Sequence, residues 1–208
     1  MSVNGHVIRE PSTPVNPAED RVSVDGREIR EKALVYVLLH KPKGYVTTVK
    51  DKHAEKTVLD LLPQEFRHLY PAGRLDKETE GLLLLTNDGD AAYRLTHPKF
   101  NVTKIYAVTI KGSLNEDKKR QLEKGIMLEG KMTAPSKISE MKFAGGKTEF
   151  LMAIHEGRKR QIRLMLSLVG CPVLSLKRIK AGPLSLGDLP PGQWRFLKQE
   201  EIAAIKKI

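Results

Sequence analysis

The stretch YPAGRLDKETEGLLLLTNDG, residues 70–89, combines closely spaced carboxylates with the most apolar run of the chain. Glycines at both ends of its charged part allow a sharp loop, and the four leucines predict a buried strand behind that loop. Asp76 would then sit above a sheet, where a carboxylate can act as a nucleophile or a general base. Two other interpretations stay open on these residues alone. Asp76 could cap a turn beside solvated Glu78 and Glu80, or two of the carboxylates could form a glycosidase pair.

Basic residues concentrate in EGRKRQIRLMLSLVG, residues 156–170. The apolar spacing predicts a helix with one buried face, and Arg163 lies at the edge of that face. A half-buried arginine needs a carboxylate or a phosphate as partner, so Arg163 is a candidate site residue; a solvated basic flank is the alternative. The other cations of this region and of the next predicted strand favour a surface that follows RNA phosphates. They are Arg158, Lys159, Arg160, Lys177 and Arg178.

A third candidate is Tyr106, in TKIYAV, residues 103–108. Alternation in this stretch predicts a strand with Ile105 on one face and both Lys104 and Tyr106 on the other. A tyrosine in a strand commonly belongs to the core. The alternative is a ring that stacks on a base in a pocket, with its hydroxyl free to act.

The elements that position these candidates include strands joined by hairpins and strands joined by helices, which predicts an α+β fold with a mostly antiparallel sheet. GYVTT at 44–48 predicts a short strand, and TVLDLLP at 57–63 predicts a short helix. Asp90 is the predicted N-cap of the helix that ends before Pro98. Residues 1–32 hold two similar pieces, SVNGHVI and SVDGREI, and each predicts a strand, a turn and a second strand.

The charge balance indicates the class of partner. Lys and Arg number 36 against 25 Asp and Glu, so the 208-residue chain carries a net charge of +11. Such an excess favours a polyanion, above all nucleic acid. The apolar runs are far shorter than the ~20 residues of a membrane-spanning helix, and the first residues lack the apolar core of a secretory signal. A cytoplasmic protein without a membrane partner is therefore expected.

No sequence pattern indicates a cofactor. The chain has neither a Walker loop nor a GxGxxG motif, and its six histidines show no metal-ligand spacing. We therefore expect no metal and no nucleotide cofactor. The single cysteine, Cys171, excludes an internal disulfide and a zinc deaminase, and is expected in the core.

Taken together and in this order, the motifs resemble those of the pseudouridine synthases, specifically the RsuA/RluB branch. AGRLDKETEGLLLLTNDG is similar to the catalytic motif of that branch, KIYAV to its tyrosine motif, EGRKRQIRLM to its arginine motif, and AGPLSLGDLPPGQWRFL to its closing segment. The resemblance covers about residues 33–208. It implies the pseudouridine synthase fold with a catalytic cleft, and isomerisation of uridine to pseudouridine in RNA without a cofactor.

The resemblance also implies roles for individual residues. Asp76 would be the nucleophile, and Arg163 would pair with it and keep it ionised. Tyr106 would stack on the target base and assist proton transfer from C5. Arg74 would help to hold the uridine out of its helix, since a base inside a stem must be flipped out to react. Leu186 would occupy the apolar position that lines the pocket.

The implied substrate is ribosomal RNA, and the overall similarity favours the large-subunit (23S) RNA, with a monomeric enzyme. Residues 1–32 resemble the second half of an S4 RNA-binding domain, without its helical first half, and 33–208 would form the catalytic domain. A second function stays open at this point, namely a non-catalytic RNA-binding or ribosome-assembly factor with the same fold. Both functions require a basic face. They differ in whether Asp76 performs chemistry.

Overall fold

The computed structural model describes residues 1–16, 19–29, 33–49 and 56–208. It divides into two units, Met1–Leu34 and Val35–Ile208. The predicted domain boundary after residue 32 falls at a stretch, 30–32, that lies outside the described residues. Each unit is described by itself.

The first unit is a small antiparallel sheet made of two hairpins. Its strands are β1 (Ser2–Val3), β2 (His6–Val7), β3 (Val22–Val24) and β4 (Arg27–Ile29), in the order β2-β1-β3-β4. The residue pairs Asn4-Gly5 and Asp25-Gly26 form the turns, and all four residues have positive φ. This is the backbone that two-residue hairpins require. The two predicted strand–turn–strand pieces are confirmed.

The second unit is built on a large sheet with helices on both faces. Its strands are β5 (Tyr36–Lys41), β6 (Tyr70–Ala72), β7 (Glu80–Thr86), β8 (Lys104–Lys111), β9 (Met127–Leu128), β10 (Lys131–Met132), β11 (Lys137–Ala144), β12 (Lys147–Ile154), β13 (Val173–Ala181), β14 (Leu184–Ser185) and β15 (Trp194–Phe196). Its helices are α1 (Gly89–Thr96), α2 (Glu116–Lys124), α3 (Gln161–Leu168) and α4 (Gln199–Lys206).

The main path of the large sheet runs β11-β12-β8-β13-β7-β5-β15, with β14 paired to β13 and β6 to β7. The β7–β13 pair is parallel, and the other pairs in this sheet are antiparallel. The α+β fold with a mostly antiparallel sheet is thereby confirmed. Among the described residues, no helix is long and apolar enough to cross a membrane.

The run of four leucines in β7 is apolar at every position because both faces of the sheet are covered. Leu83 and Leu85 pack in the core cluster that includes residues of α3. Leu82 and Leu84 pack in the opposite cluster with residues of α1 and α4. Packing on both faces of the sheet thus holds β7 in place, and this fixes the position of the loop that precedes it.

Two local predictions are wrong, and one is confirmed. The short helix after Thr57 is present as a 3₁₀ helix, Val58–Leu61. Residues 44–48 contain a single bridge from Val46 to Thr57 instead of a strand. The N-cap of α1 is Asp88, not Asp90. The hydroxyl of Tyr36 donates to Asp88 Oδ2 (2.5 Å), which orients the carboxylate so that its other oxygen accepts from Ala91 N (3.0 Å).

Candidate active site

A cleft in the second unit lies beside the parallel contact between β7 and β13. These strands pair at Lys177↔Glu80 and Arg178↔Gly81. Gly81 has φ +117°, and a Cβ added there would lie 2.3 Å from the carbonyl oxygen of Arg178. Only glycine permits this approach. The cleft has a volume of about 510 Å³. Its walls come from the loop 73–77, β8, the residues before α3, and β13.

Seven of the residues singled out from sequence line this cleft, and three are not part of its lining. Those in the lining are Arg74, Asp76, Tyr106, Arg158, Lys159, Arg160 and Arg178. The other three are Arg163, Lys177 and Leu186. The fold therefore brings the three motifs to one place, although they are far apart along the chain.

The loop that carries Asp76 is anchored on one side by Thr47. Leu75 is buried, and its backbone N–H donates to Thr47 Oγ1 (3.3 Å), while the Thr47 hydroxyl donates to the Leu75 carbonyl (2.8 Å). The backbone N–H of Thr79 closes the turn on the Asp76 carbonyl (2.9 Å). Asp76 itself is half-buried at the wall of the cleft. Its backbone position is thus set on both sides.

A buried lysine at the end of β5 also anchors this loop. The Lys41 ammonium is 0% exposed and donates to the carbonyl oxygens of Pro42 (3.0 Å), Lys77 (3.2 Å) and Thr79 (2.9 Å). Burial lowers the pKa of Lys41 to about 8, and the nearby Glu78 and Asp76 carboxylates oppose part of that shift. Sequence reasoning missed Lys41. The signal was a lysine inside the apolar strand YVLLHK, where a charge needs partners.

Arg163 lies next to the Asp76 loop, but not in the expected ion pair. Its Nη2 donates to the Glu78 carbonyl (2.7 Å), and its Nε is buried without a hydrogen-bond partner. Within the described part of the chain, no Arg163 nitrogen lies within 4.0 Å of an Asp76 carboxylate oxygen. The pKa of Arg163 is lowered, mainly by burial and to a smaller extent by the nearby charge of Arg160. The guanidinium thus holds the loop backbone and keeps a spare donor.

Tyr106 and Arg178 are cross-strand neighbours on β8 and β13. The Tyr106 ring is largely buried, and Arg178 is only 5% exposed with its Nε donating to the Leu82 carbonyl (2.8 Å). The prediction that Arg178 belongs to an outer basic surface is therefore wrong. Its side chain turns into the cleft because the register of β13 places it opposite Tyr106.

Lys177, one residue earlier, turns to the other face of the sheet. Its Nζ is 3.2 Å from Glu80 Oε1, and His40 Nε2 is 3.0 Å from the same oxygen. Burial raises the pKa of Glu80, but the hydrogen bonds from His40 and Lys177 more than offset it, so the pKa lies below its ordinary value. Glu80 is thus a paired, half-buried carboxylate instead of a solvated one, and Lys177 is not available at the cleft.

The remaining basic residues differ in whether their side chains are bound by the protein or exposed to solvent. Arg158 is engaged by the protein: Nη1 donates to the Lys131 carbonyl (3.0 Å), Nη2 to the Met132 carbonyl, and Nε pairs with Glu156 (3.4 Å). Lys159, Arg160 and Arg74 are exposed while lining the cleft. These three can reach a polyanion at the mouth of the cleft.

Leu186 is buried in the core cluster that includes residues of α1 and α4, and Leu184 lines the cleft in its place. The reason is the strand β14, in which Leu184 pairs with Ala181 of the cleft wall. Across the described ranges, no group of three or more His, Cys, Asp or Glu side chains is arranged to hold a metal ion. The arrangement offers a fixed carboxylate, an aromatic ring and buried cations in one cleft.

Comparison with known proteins identifies relatives over the whole chain. The family model described as RNA pseudouridylate synthase matches residues 35–168. An uncharacterized RNA pseudouridine synthase of Aquifex aeolicus is 38% identical over 208 residues, covering 100% of this chain and 84% of the relative. Ribosomal large subunit pseudouridine synthase B of Bacillus subtilis is 37% identical over 210 residues, covering 100% and 86%. A crystal structure of a pseudouridylate synthase aligns with a TM-score of 0.76 and 29% identity, over 98% of this chain and 87% of that one.

Proposed function

Because the chain belongs to the RNA pseudouridylate synthase family, whose members isomerise uridine in RNA, we propose that it modifies a uridine of ribosomal RNA with Asp76 as nucleophile. The preferred substrate is the large-subunit (23S) RNA. The observation that carries the proposal is the Asp76 loop: a half-buried carboxylate on a backbone anchored by Thr47 and Lys41, at the wall of the cleft. A carboxylate held in one position reacts faster with a bound carbon centre because less orientation is lost in the reaction.

The chemistry follows from the groups around Asp76. The target uridine leaves its helix and enters the cleft. Asp76 bonds to C1′ as the N1–C1′ bond breaks, the uracil turns, and C5 then bonds to C1′ as the Asp76–C1′ bond breaks. Tyr106 stacks on the uracil and assists removal of the C5 proton. Arg163 turns its free Nε to the carboxylate and holds it in position, since an arginine N–H and a carboxylate form a strong charge-assisted hydrogen bond.

Recognition of RNA rests on the basic mouth of the cleft. The net charge is +11, and the exposed Arg74, Lys159 and Arg160 meet phosphates beside the flipped nucleotide. Leu184 takes the apolar contact that Leu186 was expected to make. The strands of 1–32, which resemble half of an S4 domain, add further RNA contacts. The name of the Bacillus subtilis relative supports the large subunit as substrate. The enzyme acts as a monomer, in the cytoplasm where ribosomal RNA is made.

Asp76→Asn is the direct test. Pseudouridine formation in 23S RNA should be lost, while RNA affinity stays within about threefold, because the amide keeps the shape but is not a nucleophile. Asp117→Asn makes the same change at an exposed carboxylate on α2 and is the matched control. It should keep full activity.

Pseudouridine mapping of 23S and 16S RNA, before and after incubation with each variant, gives the readout. Pseudouridine formed by Asp76→Asn would refute the nucleophile. Modification of 16S RNA alone would refute the large-subunit substrate. Tight binding by the wild type with no new pseudouridine in either RNA would favour the non-catalytic assembly factor.

A further inference from the structure

Two cations without an acidic partner share one wall of the cleft. Arg178 is buried, and Lys104 is half-buried two residues before Tyr106 on the same face of β8. Both side chains line the cleft. In the register of the sheet, Arg178 lies opposite Tyr106 and Lys104 opposite Ala181 of the same strand β13.

Their protein contacts leave most of their donors unused. Arg178 donates from Nε to the Leu82 carbonyl (2.8 Å), and Lys104 makes one long hydrogen bond to the Val102 carbonyl (3.4 Å). Over 1–16, 19–29, 33–49 and 56–208, no carboxylate oxygen comes within 4.0 Å of either side chain's nitrogens. Burial and then the charge of Arg178 lower the pKa of Lys104.

Two neighbouring cations that are removed from water repel each other and lose their hydration. This cost in free energy is compensated only when an anion or an oxygen acceptor binds beside them. A wall built in this way is arranged in advance for negative charge. The exposed Arg74, Lys159 and Arg160 are better placed for phosphates, because the RNA backbone stays at the mouth of a cleft that takes a flipped base.

We propose that Lys104 and Arg178 bind the carbonyl oxygens of the flipped uracil and stabilise the negative charge that the ring carries after it is detached from the ribose. This inference rests on the proposed function. When the N1–C1′ bond breaks, both of its electrons stay on the ring, spread over N1, O2 and O4, and the Asp76 carboxylate bonds to C1′. When C5 bonds to C1′, the Asp76–C1′ bond breaks and its electron pair returns to the carboxylate, and the proton lost from C5 balances the one gained by N1. The cations act on the short-lived uracil anion.

The expected effect is on the chemical step. Removing one preorganised donor to a developing oxyanion costs about 10²–10³ in rate. Lys104→Met keeps the length of the side chain without its charge, and should lower the single-turnover rate at saturating RNA by that factor. Lys104→Arg should recover most of the rate. Arg178→Lys keeps a charge but loses the bond to Leu82, and should give a smaller loss.

The assay follows pseudouridine formation in a 23S RNA fragment that contains the target uridine, with affinity measured in parallel over a series of salt concentrations. The controls are Lys111→Gln at the far end of β8 and Arg120→Gln on α2, both exposed cations away from the cleft. Both controls should retain the wild-type rate. Thermal melts of every variant check that the fold is intact.

A second substrate distinguishes leaving-group stabilisation from positioning. A fluorine at C5 withdraws electrons and makes the ring a better leaving group. The deficit of Lys104→Met in consuming 5-fluorouridine at the target position should therefore be smaller than its deficit with uridine. Equal deficits on the two substrates would overturn the proposal.

Two further outcomes would also overturn it. The first is a wild-type rate in both Lys104→Met and Arg178→Lys. The second is an unchanged rate with weaker RNA binding and a salt slope reduced by about one per cation, which would make them phosphate contacts. Activity of the wild type with loss in Asp76→Asn validates the proposed function independently, so failure of this inference alone is recognisable.

Discussion

Replacement of the buried Lys41 by methionine should damage catalysis much more than stability. Lys41→Met keeps the length of the side chain and removes the ammonium that binds three carbonyls under the Asp76 loop. The Lys77 carbonyl keeps the N–H of Gly44 (2.9 Å). The carbonyls of Pro42 and Thr79 lose this donor, at about 1–3 kcal/mol each.

The opposing term is the burial of the charge itself. The pKa of Lys41 falls from 10.5 to about 8, which corresponds to about 3 kcal/mol against the charged form in the folded state. The two terms are of similar size, so the free energy of unfolding should fall by about 0–3 kcal/mol, or roughly 0–10 °C in Tm. The loop, however, loses its anchor. A displacement of about 1 Å at a reacting group can lower the rate about 10²-fold.

The pH dependence of stability and of activity is a second test of the role of the Lys41 ammonium. The folded pKa lies below the ordinary value, so between pH 8 and 10.5 the unfolded chain binds more protons at this position, and stability rises with pH through that window. Lys41→Met should lack this contribution. Activity should move the other way. Above pH 8 the neutral amine has only two N–H groups for three carbonyls, so the wild-type rate should fall.

Single-turnover rates at saturating RNA from pH 7 to 9.5, with Tm measured at each pH, test this reasoning. Lys43→Met, which changes an exposed lysine two residues on, is the matched control and should behave as the wild type. A Lys41→Met enzyme with the wild-type rate per folded molecule would refute the anchoring role. A wild-type rate that stays constant through pH 9.5 would refute the link to the ammonium.

Two further predictions concern the other supports of the site. Arg163→Ala should lower the single-turnover rate by about 10²-fold and leave RNA affinity within about threefold, because its guanidinium is bound to the Glu78 carbonyl beside Asp76 instead of to solvent; an equal loss of rate and affinity would make it a phosphate contact. Gly81→Ala should destabilise the second unit by more than about 3 kcal/mol in denaturant unfolding, because its Cβ would lie 2.3 Å from the Arg178 carbonyl oxygen at φ +117°. Gly187→Ala, also at positive φ but with no atom within 4 Å of the added Cβ, should cost only about 1–2 kcal/mol; an equal loss in the two would contradict the steric argument.

Much of the fold could be predicted from local pattern. The paired Asn-Gly and Asp-Gly turns, the hairpin around residues 145–146 and the last helix are each encoded by residues next to one another in sequence, because turns and amphipathic periods are local properties. The N-cap of α1 was predicted wrongly because a side chain distant in sequence decides which carboxylate caps the helix. Tyr36, fifty-two residues before Asp88, selects that carboxylate as the cap of α1.

The sequence by itself determined the motifs that could carry chemistry, namely a carboxylate loop before a buried strand, a tyrosine strand and a basic helix. Only the tertiary structure decided which charges enter the cleft. Alternation along a strand separates two faces but does not say which face meets the cleft, and β13 is irregular between Arg178 and Lys180. Local pattern therefore does not place Lys41 or Lys104 at the cleft, and it predicts Arg178 on an outer basic surface. Pairing of β13 with β7 at Gly81 takes Arg178 out of solvent, and pairing of β5 with β7 at the same glycine places Lys41 beneath the loop. Burial is set by such contacts between segments that sequence order keeps far apart.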